Sequence, residues 1–206
     1  MPKGIPAAAE RPISFNSQMA RAILDGRKKQ TRRIVLEELA DCPFGAVGDR
    51  LWVREPSAFR PSKNGAKEKL VYAADLTNRS GLRWRASYLM RRAESRMLIE
   101  IVQTRTERLS RISRADAIAE GFDASESSLD PVKWFAQLWD SLSGKDPSHK
   151  FAADPLVWVI EFRVVERAAV QRERPSSRGA GVPRVPTADC KQKRGRDAHA
   201  TKGRIT

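Results

Sequence analysis

The residues best suited to chemistry crowd into one short stretch. Residues 26–33, Gly-Arg-Lys-Lys-Gln-Thr-Arg-Arg, surround the hydroxyl of Thr31 with the cations Arg27, Lys28, Lys29, Arg32 and Arg33. A hydroxyl beside amines supplies a nucleophile and a base, whereas five cations without chemistry would hold a polyanion. The plain alternative is a solvated basic turn, in which cations at a helix C-terminus are favoured by the helix dipole. Beyond this run, chemistry is restricted. The two histidines, His149 and His199, have no second ligand at metal spacing, so a zinc site or a histidine-based hydrolase is not expected. Gly144-Lys145 lacks the first glycine and the hydroxyl residue of a phosphate loop. An enzyme built on this sequence would use Lys, Thr, Ser, Tyr and carboxylates.

The elements that must position the basic run follow from local patterns. Ser17 is suited to cap a helix whose Met19, Ala20, Ile23 and Leu24 share one face, and Gly26 stops it. Residues 31–35 then form a strand, which puts Lys28 and Thr31 at a helix-to-strand corner where side chains would be exposed. Residues 49–55 form a second strand entered through Gly48, and residues 70–74 are a weaker strand followed by a turn at 77–81. The alternating, β-branched stretch 97–109 is predicted to be a central strand, long enough to bend around a small barrel. Ser113 and Asp116 form a capping-box pattern opening a short helix that Gly121 ends, with Glu120 at its C-terminal edge. Asp130-Pro131 opens another helix with Phe135, Leu138, Trp139 and Leu142 on one face. Residues 156–165 make the final strand, with Trp158, Ile160, Phe162 and Val164 on one side. Strands interrupted by short helices, without β-α-β alternation, predict an α+β fold built on a small β-barrel flanked by short helices.

In these surroundings the motifs resemble the ASCH family of the PUA-like superfamily. The family's helix ends in Gly-Arg-Lys-x-x-Thr and is followed by a Gly-Asp-x-Leu strand and a closing strand of the Val-Ile-Glu-Phe type. Residues 26–31, Gly48-Asp49-Arg50-Leu51 and Val159-Ile160-Glu161-Phe162 match these in order, so the resemblance covers most of residues 12–164. Residues 42–45 (Cys-Pro-Phe-Gly) and 138–141 (Leu-Trp-Asp-Ser) also look like ASCH-like proteins encoded by phages and prophages. The resemblance implies a PUA-like fold with a cleft for RNA or a nucleoside, and no cofactor or metal. In small bacterial members that hydrolyse 4-acetylcytidine, the motif lysine and threonine act with a glutamate from the helix after the central strand. Carried across, these become Lys28, Thr31 and Glu120. A metal-independent ribonuclease and a non-catalytic RNA-binding module are the alternatives. Arg27, Lys29, Arg32 and Arg33 are then the expected nucleic-acid contacts, joined by Trp84, whose arginine neighbours suit it to stack on a base. Trp139 and Trp158 are expected in the core.

Composition frames this reading. The chain has 206 residues and a net charge of +14, a balance that favours polyanionic partners. Residues 167–206 contain 11 Lys/Arg against 3 Asp/Glu and hardly any large apolar side chains. That stretch is expected to be a disordered basic tail able to touch nucleic acid nonspecifically, and residues 1–9 a flexible N-terminus, leaving 10–166 as the folded domain. Cys42 and Cys190, far apart and unlike in setting, fit a reducing cytoplasm, and no apolar run suggests a membrane span.

Overall fold

The computed structural model describes residues 9–36, 41–61, 68–125 and 127–167. The expected flexible N-terminus and basic tail lie outside these, apart from Ala9 and Arg167. The chain order is β1 (Glu10–Ser14), α1 (Ser17–Leu24), β2 (Gln30–Ile34), β3 (Arg50–Arg54), β4 (Ser57–Arg60), β5 (Lys69–Tyr72), β6 (Met97–Arg108), α2 (Arg114–Ala119), α3 (Pro131–Leu142) and β7 (Leu156–Arg167), with short 3-10 turns between. The fold is α+β, as the pattern of elements predicts. Two strands, β1 and β4, escaped the sequence reading, being five and four residues long without clear alternation.

Five strands form one sheet in the order β1-β3-β6-β7-β2, with β1 parallel to β3 and every other pair antiparallel. The stretch 97–108 is indeed central. Among the described residues β1 and β2 remain the two edges, so the sheet is open rather than the closed barrel expected. Strands β4 and β5 pair separately as a hairpin instead of extending the sheet. Curvature comes from two bulges between β6 and β7, where the registers slip at Leu98/Ile99 and Ile101/Gln103. The extra residues, Val165 and Val102, are 40% and 43% exposed, which lets their neighbours stay in the core.

Both faces of the sheet are covered. Ile99 and Ile101 of β6 with Trp158, Ile160 and Phe162 of β7 pack beneath Ala20 and Ile23 of α1. On the opposite face Val157 and Val159 of β7 meet Ala117 of α2 and Phe135 of α3. Strand β7 is thus apolar on both sides through its middle, where a single apolar face was expected. At the far end of the sheet, buried Arg96 binds both oxygens of Glu55 at 2.7 and 3.0 Å and Asp75 at 2.6 Å, tying the start of β6 to the end of β3.

Helix α1 is capped by Asn16, whose side chain accepts from the Met19 N–H at 2.8 Å, rather than by Ser17. Its end follows the expected glycine stop. Gly26 sits at φ 78° while its N–H and that of Arg27 donate back to Ile23 and Ala22 at 3.1 and 2.9 Å. The N–H of Lys28 also reaches the Ala22 carbonyl, so the turn is pinned before β2 begins. Helix α2 carries the full capping box between Ser113 and Asp116. Gly121, at φ 108°, follows its C-cap Glu120.

Candidate active site

The pinned turn after α1 and the C-terminus of α2 meet at β2, and they bury what the sequence reading left exposed. Lys28, Thr31, Arg32 and Glu120 are only 1–3% exposed. The reason is steric closeness: the N–H of Lys29 donates to the Ala119 carbonyl at 2.8 Å, and a Cβ on Gly121 would lie 3.0 Å from that of Ala22 and 3.3 Å from that of Lys28. The helix end therefore lies directly on the corner.

Within this junction Lys28 Nζ donates to Glu120 Oε2 at 2.6 Å and to the Glu120 carbonyl at 2.9 Å. Arg32 donates to the other carboxylate oxygen of Glu120 at 3.1 Å and to Glu107 at 2.7 Å, and lies 3.4 Å from Asp116. Burial lowers the pKa of Lys28 from its ordinary value, helped by the charges of Arg33 and Arg32, while Glu120 pulls the other way. The Arg33 guanidinium, lowered likewise by burial, donates to the carbonyls of Arg32 and Ser14 and lies 5.2 Å from the centre of the Phe15 ring. Lys28 Nζ is 5.7 Å from the same ring.

Thr31 is different. Its Oγ1 is buried and has no hydrogen-bond partner among the described residues. It lines a cavity of about 320 Å³ beside β2, at the small end of the size range of ligand pockets. Arg32, Arg33, Ile34 and Glu120 also line it. Consecutive strand residues can share one cavity because β2 is an edge strand, and the cavity lies along its free side. The N–H of Phe162 bonds the Lys29 carbonyl and that of Val35 bonds the Leu156 carbonyl, so ladder alternation turns the N–H groups of Arg32 and Ile34 towards that free side. The opposite wall is the face of α3 bearing Phe135, Leu138, Trp139 and Leu142.

No protein-family model matches this sequence, and no curated protein matches it. Three solved chains match, two bacterial proteins among them. Protein EF3133 from Enterococcus faecalis, of the family DUF984, aligns at 11% identity over 82% of this chain and 89% of its own, with a TM-score of 0.46. An ASCH domain from Lactobacillus crispatus aligns at 15% identity over 77% and 81%, with a TM-score of 0.39.

The remaining residues singled out from sequence separate in space. Arg27 lies outside the main cavity, donates to the Gly121 carbonyl at 2.8 Å, and borders a second cavity of about 250 Å³ with Trp134. Lys29 is exposed. Trp84 is half-buried, commits its indole N–H to the Arg79 carbonyl at 2.9 Å, and lines neither cavity. Trp158 is in the core as expected, whereas Trp139 is half-buried in the cavity wall with its N–H on the His149 carbonyl. Sequence reasoning missed Phe15, Glu107 and the cavity role of the α3 face. The apolar spacing on α3 was visible, but it does not distinguish a packed face from a cavity wall. Among the described residues no three or more His, Cys, Asp or Glu gather as metal ligands, and no helix is long and apolar enough to cross a membrane.

Proposed function

We propose that the protein binds an acylated cytidine-type nucleoside, free or within RNA, and hydrolyses its exocyclic amide with Lys28, Thr31 and Glu120, without a metal or cofactor. The observation that carries this reading is the buried Thr31 hydroxyl, without a hydrogen-bond partner among the described residues, on a cavity wall that it shares with Glu120, which is bonded in turn to buried Lys28. A buried ion pair is poor value as a structural device, since well-packed apolar residues serve as well or better. Lys28, its pKa lowered by burial, is bonded to a carboxylate on the cavity wall, and a perturbed titratable group so close to a cavity favours chemistry.

Transfer of one proton from Lys28 Nζ to Glu120 Oε2, across 2.6 Å, turns the ion pair into an amine and a carboxylic acid. No direct Lys28–Thr31 hydrogen bond exists among the described residues, so the amine accepts the Thr31 proton through one bridging water as Oγ1 attacks the acyl carbon. The free-edge N–H groups of Arg32 and Ile34 are the donors for the oxyanion. As the C–N bond breaks, Glu120 protonates the departing amine, which restores the ion pair. One water then attacks the acyl ester on Thr31, releasing the carboxylic acid and regenerating the hydroxyl.

One observation favours the second reading, a module that binds RNA or a nucleoside without chemistry. Both hydrogen bonds of Lys28 Nζ go to Glu120, and Arg32 is shared among three carboxylates, so the network is already satisfied internally. Incubating the protein with 4-acetylcytidine, free and within a short RNA, separates the possibilities. Cytidine and acetate are the products expected. Intact modified substrate with retained RNA binding would support the binding module, and shortened RNA would point to a ribonuclease.

A further inference from the structure

The walls of the cavity say more about the acyl group than the Lys28–Thr31–Glu120 arrangement does. Glu120 must face the departing amine and Thr31 the acyl carbon, so the rest of the acyl group extends away from Glu120. Apart from Arg32, Arg33 and Ser143, the rest of the cavity lining is apolar. Phe135, Leu138 and Trp139 of α3 stand opposite β2, and Met19 of α1 and Phe44 lie alongside. The rim continues in the same character, with Leu142 at 50% and Leu36 at 81% exposed. An acetyl group carries one methyl into this space and would leave most of it to water against aromatic and aliphatic surface, which is unfavourable.

We infer that the cavity selects an extended apolar acyl group, of butyryl to hexanoyl length or an aryl equivalent, joined through an amide to a nucleobase amine. This rests on the hydrolytic reading above and specifies its substrate class. The buried Thr31 hydroxyl fixes where the amide sits, and the apolar wall fixes which side of the amide grows. Hydrolysis proceeds with the same balance as for acetyl: water is consumed, and the longer carboxylic acid and the free amine are released.

The test is a series of N4-acetyl-, N4-butyryl- and N4-hexanoylcytidine with the full-length protein. Burying each added methylene should raise kcat/KM roughly fourfold. The variant Leu138→Gln, which puts an amide into the wall, should flatten the series. Turnover that is equal along the series, or best for acetyl, overturns the inference while leaving hydrolysis intact. Absence of turnover along the whole series instead overturns hydrolysis, and affinity then decides the cavity, read from the fluorescence change of Trp139 in its wall. Affinity that tightens with chain length keeps the apolar assignment, and equal affinities overturn it.

Discussion

Lys28 Nζ and Glu120 Oε2 lie 2.6 Å apart with side chains 0% and 2% exposed, although 92 residues of sequence separate them. The glycine-stopped turn after α1 delivers the lysine, and the glycine after α2 lets the glutamate approach it. Glu120 also accepts from Arg32, whereas Lys28 has Glu120 alone as its acidic partner among the described residues. Replacing Glu120 and replacing Lys28 should therefore have unequal effects.

Glu120→Gln strands a buried ammonium and should cost about 3–5 kcal/mol of folding stability. Lys28→Met keeps the length of the apolar stem and leaves Glu120 bonded to Arg32, so its loss should be smaller. Urea unfolding of both variants at neutral pH checks the order. Equal losses would show that Arg32 does not compensate Glu120.

Gly121→Ala and Gly26→Ala both place a side chain at positive φ, a strain of roughly 1–2 kcal/mol. Only at Gly121 does the new Cβ also press on Ala22 and Lys28, at 3.0 and 3.3 Å, while at Gly26 there is open space. Gly121→Ala should lose more stability and also disturb the site. A Gly26→Ala variant that is equally impaired in ligand binding would contradict this contact.

Asp116 supplies an acid-side signature. Burial opposes its ionisation, but the hydroxyl and N–H of Ser113 and the charge of Arg32 outweigh it and hold its pKa below 3.8. The unfolded state then binds more protons between the two values, so this stabilisation is present above about pH 4 and is lost as the pH falls through the folded pKa. Asp116→Asn should show a shallower loss of stability between pH 5 and pH 2 in urea titrations. A slope identical to that of the wild type would remove Asp116 as a contributor.

The catalytic pH profile carries the mark of Lys28. The mechanism needs the one proton that the Lys28–Glu120 pair holds, so activity should fall as the pH rises through the folded pKa of Lys28, which burial keeps below the ordinary lysine value of 10.5. A falling limb at or above that value would mean that the Lys28 proton is not the one used.

The elements around the site were largely legible because their signals are local. Gly26, the Ser113–Asp116 box and Asp130-Pro131 each announced a helix boundary, and the β-branched run at 97–109 announced the central strand, observed at Met97–Arg108. Lys28, Thr31 and Glu120 came from motif resemblance, and the fold brings Lys28 and Glu120 into contact, with Thr31 on the cavity wall beside Glu120. Their burial was not legible, because it depends on α2 closing over a corner nearly a hundred residues earlier in the chain. The open sheet was hidden for a similar reason. Closure depends on whether β1 and β2 meet, and five-residue edge strands carry no sequence sign of their neighbours.

The claim at the centre of this account is that Thr31 Oγ1 attacks an acyl carbon. Intact-protein mass spectrometry after rapid mixing with N4-acylcytidine tests it most directly. The wild-type protein should carry one acyl group on the peptide containing Thr31, whereas Thr31→Ala should carry none, form no cytidine and unfold at the same urea concentration to within about 1 kcal/mol. Undiminished cytidine release by a folded Thr31→Ala protein would contradict the account.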